Sequence, residues 1–300
     1  MPSTSLFFPK RLLGTALAIQ AGIGNFGVSV VQFVTPWIIG FAAFGAIAGA
    51  PETFTRAGTT SSLWLQNAAL VYVPFIAVFG VLAWLFLRSV PVRASFREQL
   101  DIFKLKHGFF MTTLYVMTFG SFSGLSATFP LLIRQLYGEL PGAPDPLTYA
   151  FLGPLVGSIM RVVAGPLSDR YGGARVTHWA GIGMLVCVIG VTFFMNPRSV
   201  AEFPYFLAAM LGLFAFAGVG NASTFKQMPM LFQPRQAASI IGWTSAIAAY
   251  GPFATGVMMG LSISFFGTPI AFFYWCAIFY AANIAINWAL YARKGAEAPC

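Results

Sequence analysis

Long apolar runs separated by short polar breaks dominate this chain. Each run is about 20 residues or longer, enough for a helix to cross a hydrocarbon layer of about 30 Å, and none alternates as a strand would. Because lipid offers no partners for backbone N–H and C=O groups, such runs are expected to be helical. We predict eight membrane-spanning helices, at 12–46, 63–87, 109–134, 147–167, 176–195, 203–231, 237–263 and 268–292.

The composition supports a membrane protein. Hydrophobic residues make up 58% of the chain, charged residues only 8%, and the mean hydropathy is +0.77. A soluble domain carries roughly 25% charged residues, so this chain could not cover its surface against water. The predicted fold class is therefore an all-α integral membrane protein. The first run contains Pro36, so we expect it to tilt, kink or leave the membrane early.

The basic residues lie in short clusters between the apolar runs. The chain has a net charge of +9, but its basic residues form neither an arm nor a stripe, so no nucleic-acid partner is expected. One set of connections is much richer in Lys and Arg and should be cytoplasmic, which also places both termini inside. The rich set carries Lys10, Arg11, Arg88, Arg93, Arg97, Lys104, Lys106, Arg170, Arg175, Arg235, Arg293 and Lys294, and the poor set carries Arg56, Arg134 and Arg198.

The longest cytoplasmic connection is basic and amphipathic, with Phe96, Leu100 and Phe103 at helical spacing. We interpret it as a surface helix that joins two bundles. The predicted division is 1–87 with two spans, the linker 88–108, and a six-helix bundle at 109–300.

A glycine-rich motif joins the fourth and fifth predicted spans, with Gly165, Asp169, Arg170, Gly172 and Gly173 in order. The paired glycines permit a tight turn, and the two charges can contact neighbouring helix ends. The motif resembles a short cytoplasmic loop of the major facilitator superfamily. The alternative is an ordinary charged loop.

A sharper resemblance extends over nearly the whole chain. Seven stretches resemble, in order, segments of the NarK-type nitrate/nitrite porters, including their two nitrate signatures. They are Phe7 to Lys10, Gly14 to Leu17, Ala21 to Ser29, Leu114 to Phe122, Gly153 to Arg161, Gly218 to Pro229 and, more weakly, Ser245 to Phe253.

The resemblance implies a major-facilitator-type bundle that moves nitrate or nitrite by alternating access across the cell inner membrane. That family has twelve helices, and this chain resembles the last eight. The expectation is therefore a fragment, with the missing four helices and a second substrate arginine supplied elsewhere, for instance by a separate chain.

Arg161 is the central candidate for substrate binding. It lies inside the fourth predicted span, and none of the predicted spans contains Asp or Glu to neutralise it. A charge at this depth costs at least about 2.5–3.5 kcal/mol and normally faces a cavity. Its planar fork of donors suits a flat oxyanion. The alternative is that Arg161 extends to the cytoplasmic surface.

Two further candidates share a helix face. Tyr115 and Phe119 are one turn apart, and the resemblance assigns the tyrosine hydroxyl and the aromatic ring to anion binding. The alternative is an aromatic core pair. Lys226 stands where the family commonly has arginine, and it could either reach the headgroups or line the pathway.

Glycines and amides complete the predicted site. Gly22 and Gly24, with Gly27, are expected to give the first span one flat face for close helix packing, beside a buried Asn25. Asn221 repeats this pattern more weakly in the sixth span. The resemblance adds Gly251 from the second nitrate signature.

No nucleophile–base pair, paired carboxylates or metal-ligand spacing occurs, so neither an enzyme nor a cofactor or metal is predicted. The lack of acids in the predicted spans favours nitrate/nitrite exchange over proton coupling. Two alternatives stay open: a porter of another small anion, and a truncated remnant or interaction subunit that transports nothing. We expect the isolated chain to be poorly stable in lipid.

Overall fold

The computed structural model describes residue 4 and residues 7–56, 59–87 and 99–300. Within these ranges the regular structure is helical except for one β-hairpin, and π-helical turns occupy Val116–Gly120 and Trp288–Ala292. Short 3-10 segments occupy Lys10–Leu12, Gly45–Ala48, Leu100–Lys104 and Val200–Glu202. The α-helices are α1 Leu13–Ile38, α2 Asn67–Leu70, α3 Tyr72–Phe86, α4 Lys106–Tyr115, α5 Ser121–Tyr137, α6 Pro146–Ala150, α7 Leu152–Tyr171, α8 Gly173–Thr192, α9 Phe203–Leu231, α10 Pro234–Ala248, α11 Gly251–Phe266 and α12 Ile270–Asn287.

In the described residues, these elements join into eight segments long and apolar enough to cross a membrane. The all-α membrane fold with eight spans is thereby confirmed. The spans are Lys10–Ile38, Asn67–Phe86, Lys106–Tyr137, Pro146–Tyr171, Gly173–Thr192, Val200–Leu231, Arg235–Phe266 and Ile270–Ala292.

The boundaries of two spans differ from the prediction for local reasons. The first helix ends at Ile38, two residues after Pro36, rather than near residue 46. The fourth continues through Pro166 to Tyr171, so Asp169 lies in the helix and not in the loop after it. The prediction that the spans contain no acidic residue is therefore wrong at this position.

The hairpin between the first two spans was not foreseen from the sequence. Its strands are β1 Glu52–Arg56 and β2 Thr59–Leu63, paired antiparallel with Thr55 opposite Thr60. Threonine and serine side chains occupy most of these positions, and threonine favours extended backbone. A five-residue polar strand carries too weak a signal to stand out between two spans.

The chain divides into two compact units, Met1–Ser29 with Ala94–Cys300, and Val30–Arg93. In the second unit, the Asn67 side chain donates to the carbonyls of Ile38 at 3.1 Å and Phe41 at 2.8 Å. The first bond satisfies a carbonyl left open at the end of α1, and the second satisfies one in the segment that follows the helix. The three-part division inferred from the sequence stays a prediction, and residues 88–98 of its linker, including Phe96, lie outside the described residues.

The first unit is organised around α9, which packs against α7 on one side and α8 on the other. Helices α7 and α9 touch at Gly157 and Gly218, where a Cβ on Gly218 would stand 2.1 Å from the Gly157 carbonyl oxygen. Such close backbone contact is how membrane helices gain van der Waals packing without a hydrophobic driving force. This contact fixes the position along the two helix axes at which their polar side chains approach each other.

Two irregular segments of the first unit lie against each other. The third span changes to a π-helical turn at Val116–Gly120, and the seventh breaks between Ala248 and Gly251. A Cβ on Gly251 would stand 2.2 Å from the Gly120 carbonyl oxygen, so only glycine fits there. Gly251 therefore serves helix packing in this structure, and its assignment to the anion site stays a prediction.

Candidate functional site

Arg161 lies in α7 with no solvent-exposed surface. Its Nε, Nη1 and Nη2 atoms form no hydrogen bond of normal geometry within the described residues, although the Tyr115 hydroxyl lies close enough to interact with the guanidinium. The guanidinium carbon stands 5.1 Å from the centre of the Phe225 ring and 5.9 Å from that of Phe119, so the charge is held between aromatic faces. A fully buried side chain cannot reach the membrane surface, so the alternative that Arg161 extends to the cytoplasmic side is wrong.

An aromatic wall stands beside this guanidinium. The rings of Tyr115 and Phe119 stack at 5.3 Å with an interplanar angle of 2°, which confirms that they share a helix face. Phe225, from α9, stacks on Tyr115 at 4.5 Å. The π-helical turn begins directly after Tyr115 and includes Phe119, and such turns occur frequently at functional sites.

Two neutral polar groups are buried near the same helix contact. Asn221 is 0% exposed and Ser158 is 2% exposed. The Asn221 side-chain amide and the Ser158 hydroxyl have no hydrogen-bond partner among the residues described. Since Gly157 meets Gly218, Ser158 and Asn221 lie within one turn of the crossing on their helices, as does Arg161.

Sequence reasoning gave Asn221 a lesser place in the site and missed Ser158 and Phe225. The signal was present for Ser158, which precedes Arg161 by three residues and so faces the same way along α7. Phe225 follows Asn221 by four residues, one turn along α9. Among 32 phenylalanines, spacing within one helix could not single it out.

Helix α1 runs antiparallel to α7 and brings Gly22 to the site. A Cβ on Gly22 would stand 2.5 Å from Val162 and 3.1 Å from the Ser158 carbonyl oxygen, so Gly22 is a packing position. Asn25 follows one turn later, and its amide nitrogen is buried without a partner. Its place near the Ser158 turn is compatible with the predicted role in anion binding.

The predicted flat glycine face on α1 is wrong. A Cβ on Gly24 or Gly27 would meet nothing within 4 Å, whereas one on Gly22 would clash. At about 100° per residue, Gly24 is rotated about 200° from Gly22 and therefore points to the other side of the helix. Gly24 does not join the α1–α7 contact, and its assignment to the site remains only a prediction from the resemblance.

The glycine-rich motif is more than a charged loop. Asp169 accepts hydrogen bonds from the backbone N–H of Gly14 at 2.9 Å, from the N–H of Thr15 at 2.8 Å and from the Thr15 hydroxyl at 2.8 Å. These are donors in the first turn of α1, so Asp169 caps that helix from α7. The ordinary-loop alternative is thereby excluded.

Lys226 completes this arrangement. Its Nζ donates to Asp169 Oδ1 at 2.6 Å and to the Lys10 carbonyl oxygen, and Lys226 is only 7% exposed. Lys226 is therefore paired inside the bundle and does not extend towards the headgroups, and its role in lining the pathway stays a prediction. The ion pair also removes Asp169 as a counter-ion for Arg161.

The remaining motif residues shape the turn. Gly165 packs on α1, where an added Cβ would lie 2.7 Å from that of Ala18, and Gly172 adopts φ +90°, a region that side chains disfavour. Arg170 is exposed, with its guanidinium carbon 5.2 Å from the Tyr171 ring centre. In the described part of the chain, no cluster of His, Cys, Asp and Glu could hold a metal ion.

The fold and this buried cationic site define a multi-pass membrane protein of the major facilitator type. Its structure is similar to that of the Escherichia coli fucose:proton symporter FucP, with a TM-score of 0.66 at 15% identity, covering 95% of this chain and 71% of that one. A second FucP structure, in the outward conformation, gives a TM-score of 0.67 at 14% identity, covering 95% and 70%. These likenesses establish the fold alone.

Sequence relatives are more specific. A protein of Thermus thermophilus described as a probable nitrate/nitrite antiporter, NarK2, is 62% identical over 301 residues, covering 100% of this chain and 68% of that protein. The nitrate/nitrite transporter NarU of Escherichia coli strain K12 is 32% identical over 318 residues, covering 98% and 67%. No family model matches the chain. On the strength of these relatives, the chain belongs to the NarK-type nitrate/nitrite porter family of the major facilitator superfamily.

Proposed function

We propose that this chain forms the anion-binding part of a nitrate/nitrite porter that works by alternating access. The observation that carries the proposal is the buried Arg161 guanidinium, whose three nitrogens form no hydrogen bond of normal geometry with the described residues. An isolated buried charge is strongly unfavourable, whereas a bound anion would neutralise it. Nitrate and nitrite are flat oxyanions whose oxygens suit the paired donors of a guanidinium.

The neighbouring groups support a small, weakly hydrated anion. Stacked Tyr115, Phe119 and Phe225 offer an apolar wall on the side of the guanidinium. Asn221 and Ser158 offer neutral donors that would complete the coordination without adding charge. A strongly hydrated anion would lose more solvation here than these groups could restore.

Exchange of nitrate for nitrite fits the site better than proton coupling. Proton-coupled transporters commonly carry a titratable Asp, Glu or His near the pathway. Asp169 is engaged by Lys226 and the α1 backbone, and Glu202 accepts a hydrogen bond from the backbone N–H of Arg198 near a span end. Neither of these carboxylates stands free beside Arg161. The protein acts in this proposal as a transporter and not as an enzyme.

The motif of Gly165, Asp169, Arg170 and Gly172 would act as a gate at the end of the pathway. Asp169 holds the start of α1 against α7 and α9 through the cap and the Lys226 pair. Opening of the pathway on this side requires these bonds to break together, because all of them converge on one carboxylate. The gate would therefore open only when substrate binding offsets their loss.

The proposed location is the cell inner membrane, with both termini and the Asp169 end cytoplasmic. The asymmetry of Lys and Arg between the two sets of connections supports this orientation. Because the chain spans about two thirds of the length of relatives such as NarK2, we propose that four further helices, in the same or a separate chain, complete the transport unit.

Transport can be tested in liposomes loaded with nitrite, by measuring uptake of isotopically labelled nitrate. The chain is inserted alone or together with the remaining helices of its Thermus relative. We expect uptake only in the second case, with loss on Arg161→Gln and retention on Arg198→Gln, an exposed arginine far along the chain. Full uptake in the Arg161→Gln variant would refute the proposed site.

Competition separates the alternatives. Inhibition of labelled uptake by nitrite and nitrate but not by formate or acetate supports the proposed substrate class. Inhibition by a carboxylate alone indicates a porter of another small anion. Uptake that stays at the level of empty liposomes with all partners present would favour the non-transporting subunit.

A further inference from the structure

A groove on the outer surface of the first unit is not used by the proposed transport mechanism. It lies among α7, α8 and α9 and has a volume of about 390 Å³. Its walls are apolar and open to the surroundings: Leu167 is 42% exposed, Trp179 70% and Phe216 39%. In a membrane protein such a surface faces acyl chains.

The groove has a cationic end. Arg175 lines it next to Tyr171, and the Arg170 guanidinium carbon lies 5.2 Å from the centre of the Tyr171 ring. Within the described ranges neither arginine forms an ion pair, and no acidic residue lines the groove. Both arginines are exposed where the fourth span ends and the fifth begins.

The parts of the groove match the parts of a phospholipid in order. The apolar walls suit the acyl chains, the aromatic side chains suit the glycerol region, and the unpaired arginines suit the phosphate. Trp and Tyr are enriched at the level of the headgroups, and basic pockets between spans on the cytoplasmic side bind anionic headgroups. Arg175 and Tyr171 lie at the polar end of the groove, while Leu167 and Phe216 lie at least one helical turn from them toward the membrane interior.

We propose that this groove binds one anionic phospholipid of the cytoplasmic leaflet. Arg175 holds its phosphate, Trp179 packs at the glycerol level, and one acyl chain lies along Leu167 and Phe216. The assignment to the cytoplasmic leaflet depends on the orientation given under the proposed function, whereas the preference for an anionic headgroup does not depend on it. Because helices α7 and α9 carry Arg161 and Asn221 on their inner sides, a lipid seated here would stabilise the packing that sets the anion site.

The test uses photoactivatable lipids. The full chain is inserted into liposomes with the same composition in both leaflets, containing either phosphatidylglycerol or phosphatidylcholine with a diazirine in the acyl chain. After illumination, labelled peptides are mapped by mass spectrometry. We expect labelling of the groove peptides about fivefold higher with phosphatidylglycerol, the factor that one arginine near an anionic headgroup supplies.

Variants assign the contacts. Arg175→Gln should remove the excess, while the matched control Arg198→Gln, an exposed arginine in the opposite set of connections, should keep it. Leu167→Trp fills the apolar wall and leaves the arginines in place, so it should lower labelling by both lipids. A midpoint temperature of thermal unfolding equal to that of the parent chain shows that each variant is folded.

Three results would overturn the proposal. Equal labelling by the two headgroups means ordinary annular lipid. An excess that persists in the Arg175→Gln variant places the anion elsewhere. An excess abolished by millimolar glycerol phosphate means a site for free phosphate esters, in which the acyl chain has no part. Failure of nitrate uptake would not affect any of these readouts, so the two proposals are tested independently.

Discussion

Lys226 Nζ lies 2.6 Å from Asp169 Oδ1, and their side chains are only 8% and 9% exposed. The pair joins α9 to α7, and the same carboxylate caps α1 through Gly14 and Thr15. Three helices distant in sequence are thus tied at one point at the end of the bundle. The cap offsets part of the desolvation cost that a buried ion pair carries.

Removing the lysine should be costly. Lys226→Met leaves Asp169 buried with its backbone donors but without its counter-ion, which we expect to lower the free energy of unfolding by about 3 kcal/mol or more. The matched control is Lys104→Met, because Lys104 is 81% exposed and pairs with Asp101 at 3.4 Å. Exposed pairs contribute about 0–1 kcal/mol. Denaturant unfolding in detergent measures both; equal losses would contradict the structural role of the buried pair.

The contact between α7 and α9 should not tolerate a methyl group. Gly218→Ala would place a Cβ 2.1 Å from the Gly157 carbonyl oxygen and force the helices apart, at a cost of about 1–3 kcal/mol. Gly256→Ala is the control, since its Cβ would meet nothing within 4 Å and alanine is the better helix former. The midpoint temperature of thermal unfolding should therefore fall in the Gly218→Ala variant and rise in the Gly256→Ala variant. A Gly218→Ala variant as stable as the parent would show that the helices can shift freely.

Phe225 should affect substrate affinity although it offers no polar contact. Its ring centre lies 5.1 Å from the Arg161 guanidinium carbon. Phe225→Leu keeps an apolar side chain but removes the attraction that holds the charge, worth about 1 kcal/mol. We expect the nitrate concentration for half-maximal uptake to rise about fivefold. Phe265→Leu, at a position 76% exposed on α11, is the control and should leave it unchanged.

The tail after α12 should loosen around Glu297 in acid. Glu297 lies 2.5 Å from Lys106 Nζ and 3.6 Å from His107 Nε2, and the hydrogen bond from Lys106 lowers the pKa of the Glu297 carboxyl. Because the pKa of Glu297 is lowered in the folded chain, the ion pair stabilises the docked tail fully when the pH is above the ordinary pKa of glutamate. This stabilisation is lost as the pH falls through the lowered pKa of the folded chain. A spin label introduced at Ala296 should therefore become mobile well below pH 4.5.

Glu297→Gln supplies the control for this titration. The amide cannot carry the charge, so the label should be more mobile at neutral pH and show no transition in the acid range. The Glu297 side chain is 46% exposed, so the transition should also weaken in high salt. An identical acid transition in the Glu297→Gln variant would assign the titration to another group.

The amino-acid sequence by itself determined the membrane class, the number of spans and the main candidates of the site. Those features depend on properties that are local in the chain: the transfer energy of a run of about 20 residues, and the helical period that puts Tyr115 and Phe119 on one face. An arginine within an apolar run can also be recognised as a functional candidate without knowledge of its neighbours in space. The resemblance to nitrate/nitrite porters added the expected substrate.

Only the tertiary structure decided which side chains meet. It paired Lys226 with Asp169, although 57 residues separate them, and it brought Phe225 to Arg161 from another helix. It also separated Gly24 from Gly22 and assigned Gly251 to a packing contact. The physical reason is that helix contacts in lipid depend on close complementarity between surfaces far apart in sequence, for which the hydrophobic pattern of a single span carries almost no information.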